Sequence, residues 1–260
     1  MDNVWSRSQK APRQTLTLER IVAEAVALLD EEGVGRLTMR RLAERLDTGS
    51  TTLYWHVKTK DDVLDLAMDE VFREVRLDDL AGPAGGVSVR GGDGADNAAL
   101  SGRDGGAGVV RGGGRGVGAG AVSRPGDWRG PVRGLMRRWR AALLRHPWSA
   151  TLLDRPLMGP NALRRTEFLY GTLTAAGFAA PKTAAFSLSN YVMGSVIMQV
   201  TWERSGGTDT GAFLRERADR YPALAEHGLE HDWDATFDEG LGYLLEGMAA
   251  SRARGGPPLA

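Results

Sequence analysis

Cysteine is missing from the chain, which excludes disulfides, zinc–thiolate sites and thiol redox sensing. Net charge is missing too, because 33 basic residues stand against 33 acidic ones. A globally basic nucleic-acid binder is therefore not indicated, and any basic surface has to be local. No apolar run approaches the roughly 18 residues that a membrane span needs. The opening stretch, MDNVWSRSQKAPRQT, has no apolar core and does not read as a signal peptide. A soluble, cytoplasmic protein is the expectation. Residues 81–126 lack any aromatic side chain yet hold 17 of the 35 glycines. Ordering that much glycine costs backbone entropy with few side chains to offset it, so the segment reads as a flexible linker or insertion.

Against these absences stands an apolar fraction of 42% in 260 residues, enough for one large or two smaller cores. The patterning is helical throughout, and no stretch reads as a convincing strand. Residues 1–14 are polar and are expected to fray. A first helix is predicted from Leu18 to Glu32, capped by Thr17, stopped by Gly33, and buried along Leu18, Ile21, Val22, Ala25, Val26 and Leu29. From Asp127 onward Val132, Leu135, Met136, Trp139, Ala142 and Leu143 recur at helical spacing, until His146-Pro147 ends the run. Further helices are expected over 148–153, 161–176, 182–204 and 210–219, with a turn at Tyr221-Pro222 and a last helix over 233–250. The helix over 182–204 is apolar on more than one face and should be buried on more than one side. The tail over 251–260 reads as loose.

Residues 38–60, TMRRLAERLDTGSTTLYWHVKTK, organise the rest. Thr38 can cap a short helix whose apolar stripe is Met39, Leu42, Ala43 and Leu46. Asp47-Thr48-Gly49 breaks it, and Gly49 or Ser50 can cap a second short helix that ends near Lys58. Two helices joined by a tight, glycine-containing turn form a helix-turn-helix. The second is dense in Ser, Thr, Tyr, Trp and His, residue types that suit phosphates and base edges better than a core. Six basic residues (Arg36, Arg40, Arg41, Arg45, Lys58, Lys60) face only Glu44 and Asp47 in this stretch, a local +4. Thr59-Lys60-Asp61-Asp62 is close to a capping box and opens a fourth helix with Val63, Leu64, Ala67, Met68, Val71, Phe72 and Val75 on its buried face.

The runs LERIVAEAVALLDEEG, LTMRRLAERL and TTLYWHVKTKDDVLD closely resemble the TetR family of transcriptional regulators. The resemblance is strong over 15–76 and extends more weakly, by helix order and length, over 127–250. It implies an all-α protein: an N-terminal three-helix helix-turn-helix domain with its linking helix over 15–78, and a C-terminal helical ligand-binding and dimerisation domain over 127–250. It further implies a homodimeric repressor that binds double-stranded operator DNA and is released by a small-molecule effector, without a cofactor or a membrane. Matching positions put Arg40 near phosphates or bases. Ser50, Thr51 and Thr52 face the major groove, Tyr54, Trp55 and His56 lie over its wall, and Lys60 meets a phosphate. With Thr48 and Lys58 these complete the expected DNA surface. Gly49 and Ser50 stand where the family's namesake branch carries longer polar side chains, so a different operator is expected.

For the effector, the candidates are Trp139, Phe168, Asn190, Met193, Met198 and Trp202: apolar and aromatic positions with a few polar groups. Gln199 and Thr201 are further polar contacts on the same long helix. Gly240, Gly242 and Gly247 beside Phe237, Leu241, Leu244, Leu245 and Met248 suggest close helix approach, hence a four-helix dimer interface shared with the helix over 182–204. Packing within one subunit explains the same pattern. His227 and His231 are four apart, but Gly228 between them and Pro222 nearby spoil a regular helix, so surface histidines are expected and no metal.

Two rival readings belong to other classes. Arg90-Gly91-Gly92 and Arg111 to Arg115 resemble an RNA-binding arginine–glycine segment, yet no Phe or Tyr is interleaved and four aspartates offset five arginines. An α-helical enzyme is the other, and no Ser-His-acid pattern, carboxylate pair or nucleotide loop can be defended for it.

Overall fold

The computed structural model describes residues 16–80, 127–206, 210–230 and 232–253. The glycine-rich segment 81–126, the N-terminal tail and most of the C-terminal tail fall outside these residues, as does His231. Among the described residues the chain is helical, without strands.

Helix α1 (Leu18–Glu32) begins where Thr17 accepts a hydrogen bond from the Arg20 amide at 3.3 Å, and it stops at Gly33, whose φ of 76° favours glycine. Leu28, outside the expected face, is buried with Ile21, Ala25 and Leu29, whereas Leu18 is exposed. Helix α2 (Met39–Arg45) is capped by Thr38, which accepts from the Arg41 amide at 3.1 Å. Helix α3 (Ser50–His56) starts after Gly49, with no side-chain cap. Helix α4 (Lys60–Arg73) opens on a complete capping box: Thr59 Oγ1 accepts from the Asp62 amide at 3.0 Å, and Asp62 Oδ2 accepts from the Thr59 amide at 2.9 Å.

Helix α5 (Arg129–Arg145) ends at His146, and Pro147 opens a 3-10 helix (Pro147–Leu152). Helices α6 (Pro160–Ala175) and α7 (Pro181–Arg204) follow, each with proline in its first turn, where no amide hydrogen is missed. The region expected as one helix and a turn holds two short helices, α8 (Thr210–Arg215) and α9 (Pro222–His227). Pro222 starts α9 and Gly228, at φ 71°, ends it. Helix α10 (Trp233–Ala253) completes the described chain.

One continuous core runs from Ile21 to Leu245. Helix α4 serves both parts of this core. It buries Val63, Leu64, Ala67 and Met68 as well as Val71 and Phe72, packing on α1 and on α5 and α6. Phe72 meets the Trp139 ring of α5 at 5.8 Å. Helix α7 crosses α5, α6 and α10 through Leu188, Val192, Val196 and Val200. Its second apolar side, with Phe186, Ile197 and Met198, stays exposed in the subunit.

Candidate nucleic-acid interface

Leu53 is 0% exposed and Val57 is buried four residues on, so these two side chains pin α3 to the core. The helical period then turns Thr51, Thr52, Tyr54, Trp55 and His56 outward. Tyr54 is 45% and Trp55 78% exposed, two adjacent rings that the subunit's own packing leaves uncovered. Ser50 and Thr48 are half-buried at the start of this surface. The turn before it is tight: the Thr48 amide donates to the Ala43 carbonyl at 3.0 Å, and Asp47 takes φ 50°, a conformation Asp tolerates better than most residues. A short helix whose exposed face combines hydroxyls, aromatic edges and an imidazole is built to meet a groove.

The basic residues around it divide into two sets. Arg41 pairs with Glu32, and Arg45 with Glu24 and Glu31, all on α1. Hydrogen bonds that Arg45 donates to Glu31 and then Glu24 push its guanidinium above its usual range. These two arginines fasten α2 to α1, and the three glutamates offset most of the local +4 counted from residues 36–60 alone. Among the described residues Arg40 pairs only with Glu44 at 2.9 Å, both well exposed, a weak link that leaves it available. Lys58 Nζ donates to the Tyr54 carbonyl at 3.0 Å, placing a cation at the C-terminal end of α3. Lys60 Nζ donates to the Val34 carbonyl at 2.9 Å. Each ammonium has three hydrogens, so each keeps donors for a phosphate. Arg36, Thr38, Arg40 and Arg41 line an open groove of about 670 Å³ beside α2 together with Glu32, Gly35 and Glu44, so its charge is mixed.

The head is joined to the rest of the chain by polar bonds, most of them part-buried. Asp69, on the inner face of α4, accepts from the Asn161 amide and the Ala162 amide, both at 3.0 Å, and from Asn161 Nδ2 at 2.8 Å. It therefore caps α6 from another helix, and a Cβ at Gly159 would overlap its carboxylate. His146 Nδ1 lies 2.7 Å from Asp30 of α1 and Nε2 lies 3.0 Å from Glu74 at the end of α4. Trp148 Nε1 donates to the same Asp30 oxygen at 2.6 Å. Burial opposes ionisation of Glu74, but hydrogen bonds from Arg145 and His146 outweigh it and hold the carboxyl below its ordinary range. Arg155 reaches back to Asp61 at 2.6 Å.

The residues picked for an effector do not share one face. Trp139 is inside the buried stripe of α5, Phe168, Met193 and Trp202 are half-buried, and Asn190 and Met198 are exposed. Gln199 is engaged by Arg140 and Thr201 is exposed. The proposed dimer set splits as well. Phe237, Leu241 and Leu245 are buried in the subunit's own core, Phe237 stacking on Tyr191 at 5.1 Å. An apolar stripe shows that something is buried, not whose surface covers it. Leu244 and Met248 remain partly open beside exposed Tyr243. Gly240 serves the inner packing too, since a Cβ there would overlap the Tyr191 hydroxyl. His227 ends α9, and no group of three metal-ligating side chains occurs among the described residues.

Sequence reasoning passed over Arg140, Arg165 and Asp69. Arg140 is buried between α5, α7 and α10, donating to Ser195 Oγ at 3.2 Å and Asp234 Oδ1 at 2.5 Å. The available signal was their position: each falls on the apolar stripe of its helix, as Arg165 does between Ala162 and Leu169.

A helix-turn-helix head with an exposed polar–aromatic reading helix, rooted in a helical body, defines a DNA-binding transcriptional regulator. Residues 21–67 match the model for bacterial regulatory proteins of the tetR family, and residues 123–252 match that for the tetracyclin repressor-like C-terminal domain. The chain is 41% identical to an HTH-type transcriptional regulator of Saccharopolyspora erythraea, covering 95% of this chain and 92% of that one. It is 29% identical to the HTH-type transcriptional repressor DrrR1 of Streptomyces coeruleorubidus, over 93% of this chain and 80% of that one. The Streptomyces coelicolor TetR family protein ActR, solved in complex with actinorhodin, superposes with a TM-score of 0.68 at 26% identity, covering 92% of this chain and 99% of that chain. The chain belongs to the TetR family.

Proposed function

We propose that the protein is a homodimeric repressor that leaves a palindromic operator when a small molecule binds its C-terminal helices. Residues 15–78 form the reading head, and 127–250 form the effector and dimer part. The observation that carries this is the outer face of α3, with Tyr54 and Trp55 uncovered over a buried Leu53. Two such heads about one DNA turn apart, roughly 34–36 Å, read the two half-sites. Ser50, Thr51 and Thr52 face base edges, Thr48, Tyr54, Trp55 and His56 line the groove wall, and Arg40, Lys58 and Lys60 meet phosphates. The apolar outer side of α7 (Phe186, Ile197, Met198) and the open side of α10 (Tyr243, Leu244, Met248) are the surfaces offered to a second subunit. That ActR is solved with a small molecule supports the effector reading.

The bonds from Asp69 to α6 and from His146 to α1 and α4 couple the body to the head. An effector shifts the population of heads only by binding more tightly to the arrangement that no longer fits DNA. This reading assigns the chain no reaction of its own and locates it in the cytoplasm with its operator; among the described residues no helix is long and apolar enough to cross a membrane. The test is a gel shift on the DNA flanking its own gene. Wild-type protein retards that DNA, and Tyr54→Ala abolishes the shift while leaving the dimer intact. Normal retardation by Tyr54→Ala would sink the assignment of α3.

A further inference from the structure

Arg165 is 7% exposed, yet its Nε and Nη1 hydrogens have no acceptor. Among the described residues only Nη2 is used, donating to Thr166 Oγ1 at 3.1 Å. No carboxylate pairs with it among the described residues. Its guanidinium lies 3.8 Å from the centre of the Trp139 ring and 5.6 Å from that of Phe72, so α4, α5 and α6 meet around it. Trp139 is itself buried, and its indole Nε1 hydrogen also lacks an acceptor. Three nitrogen donors, Arg165 Nε and Nη1 and Trp139 Nε1, are therefore buried in one region without an acceptor among the described residues.

Aromatic faces attract a guanidinium but do not accept its in-plane hydrogens. An unpaired buried cation is a costly item that folded chains avoid unless it is used. Burial lowers the Arg165 pKa to about 10, so the group still carries its charge at neutral pH. What would complete the site brings acceptors, negative charge and a flat surface, and brings no donors.

We infer that Arg165, with the Trp139 indole N–H, is the anchor for an effector bearing a carboxylate or phenolate oxygen on a planar aromatic ring. The inference rests on the effector reading above and names its ligand class. The planar fork suits two parallel hydrogen bonds to such an oxygen pair, and the buried Trp139 and Phe72 rings beside it favour an aromatic neighbour. Because Phe72 is on α4, an occupant here touches the helix that carries the reading head.

The experiment compares the full-length protein with Arg165→Met, using 1-naphthoate and its neutral analogue 1-naphthamide as probes in titration calorimetry and thermal unfolding. Wild type binds the carboxylate and not the amide, and Arg165→Met weakens carboxylate binding about 10–100-fold. Without probe, Arg165→Met melts at or above the wild-type temperature, because an apolar side chain replaces an uncompensated charge. Equal binding by both proteins, equal binding of both probes, no naphthoate binding by wild type, or a lower melting temperature for the variant each overturns the assignment. Operator retardation without probe is run on both proteins. If naphthoate binds through Arg165 while no operator is retarded, the regulator reading fails and this one stands. If operator is retarded and naphthoate is ignored, the reverse holds.

Discussion

Replacing Asp69 by alanine tests how the helical body is fixed to the head. Three donors of the α6 N-terminus converge on this carboxylate, and Pro160 leaves the Asn161 and Ala162 amides as the next free donors of that turn. Losing a cap costs about 0.5–2 kcal/mol. Each buried donor left unsatisfied adds about 1–3 kcal/mol, but relief of a buried carboxylate and partial hydration of half-buried Asn161 return some of it. The net expectation is a loss of about 2–3 kcal/mol, which at about 2–4 °C per kcal/mol for a chain of this size lowers Tm by roughly 5–10 °C. Thermal unfolding is compared at one protein concentration, because a dimer's Tm depends on it. Asp69→Asn keeps an acceptor without the charge and should lose about half as much. Gly159→Ala should approach the alanine variant, since its Cβ would displace the carboxylate. As a control, Asp78→Ala removes an exposed pair with Arg164 and should cost less than about 1 kcal/mol. If Asp69→Ala stays within about 0.5 kcal/mol of wild type, the cap contributes nothing and the coupling argument falls with it.

Operator affinity should fall steeply with salt, and neutralising Arg40, Lys58 or Lys60 singly should each lower the slope of log K against log salt by about one; unchanged slopes would remove that residue from the phosphate contacts. Asp79 is held at a pKa of about 2, chiefly by its hydrogen bonds from Arg138. A depressed carboxylate stabilises above its unfolded pKa of about 3.9 and loses that contribution as pH falls toward 2. Arg138→Gln should therefore flatten the acid limb of stability between about pH 4 and 2, and an unaltered limb would show the pair to be inert. Phe186→Glu together with Tyr243→Glu should give a monomer in analytical ultracentrifugation without loss of helicity; a persistent dimer would move the interface elsewhere.

Where the sequence carried local punctuation, the fold was legible. Thr17 and Gly33 bracket α1, and Thr59 with Asp62 starts α4, because caps and stops act on neighbouring residues. The reading helix was legible for the same reason, as the Asp47-Thr48-Gly49 break and the capping box at Thr59 bracket it. What was not legible depends on partners far along the chain. Arg41 and Arg45 count as basic surface until α1 is folded against them. Asp69, Arg140 and Arg165 look like ordinary surface charges, although each interrupts an apolar stripe at helical spacing. Phe237, Leu241 and Leu245 mark a buried face, and only packing against α7 and α5 reveals that the subunit covers it itself.

The slight anchoring of α3 bears on how such a regulator diversifies. Leu53 and Val57 hold the helix, its start has no side-chain cap, and Thr51, Thr52, Tyr54, Trp55 and His56 contribute almost nothing to the core. Surface substitutions of this kind usually alter stability by no more than about 0.5 kcal/mol. Mutations at those five positions can therefore accumulate with little effect on folding while the preferred operator drifts. A change at Leu53 would unseat the whole helix. Within seven residues, the freedom to acquire a new DNA target and the constraint of staying folded fall on different side chains.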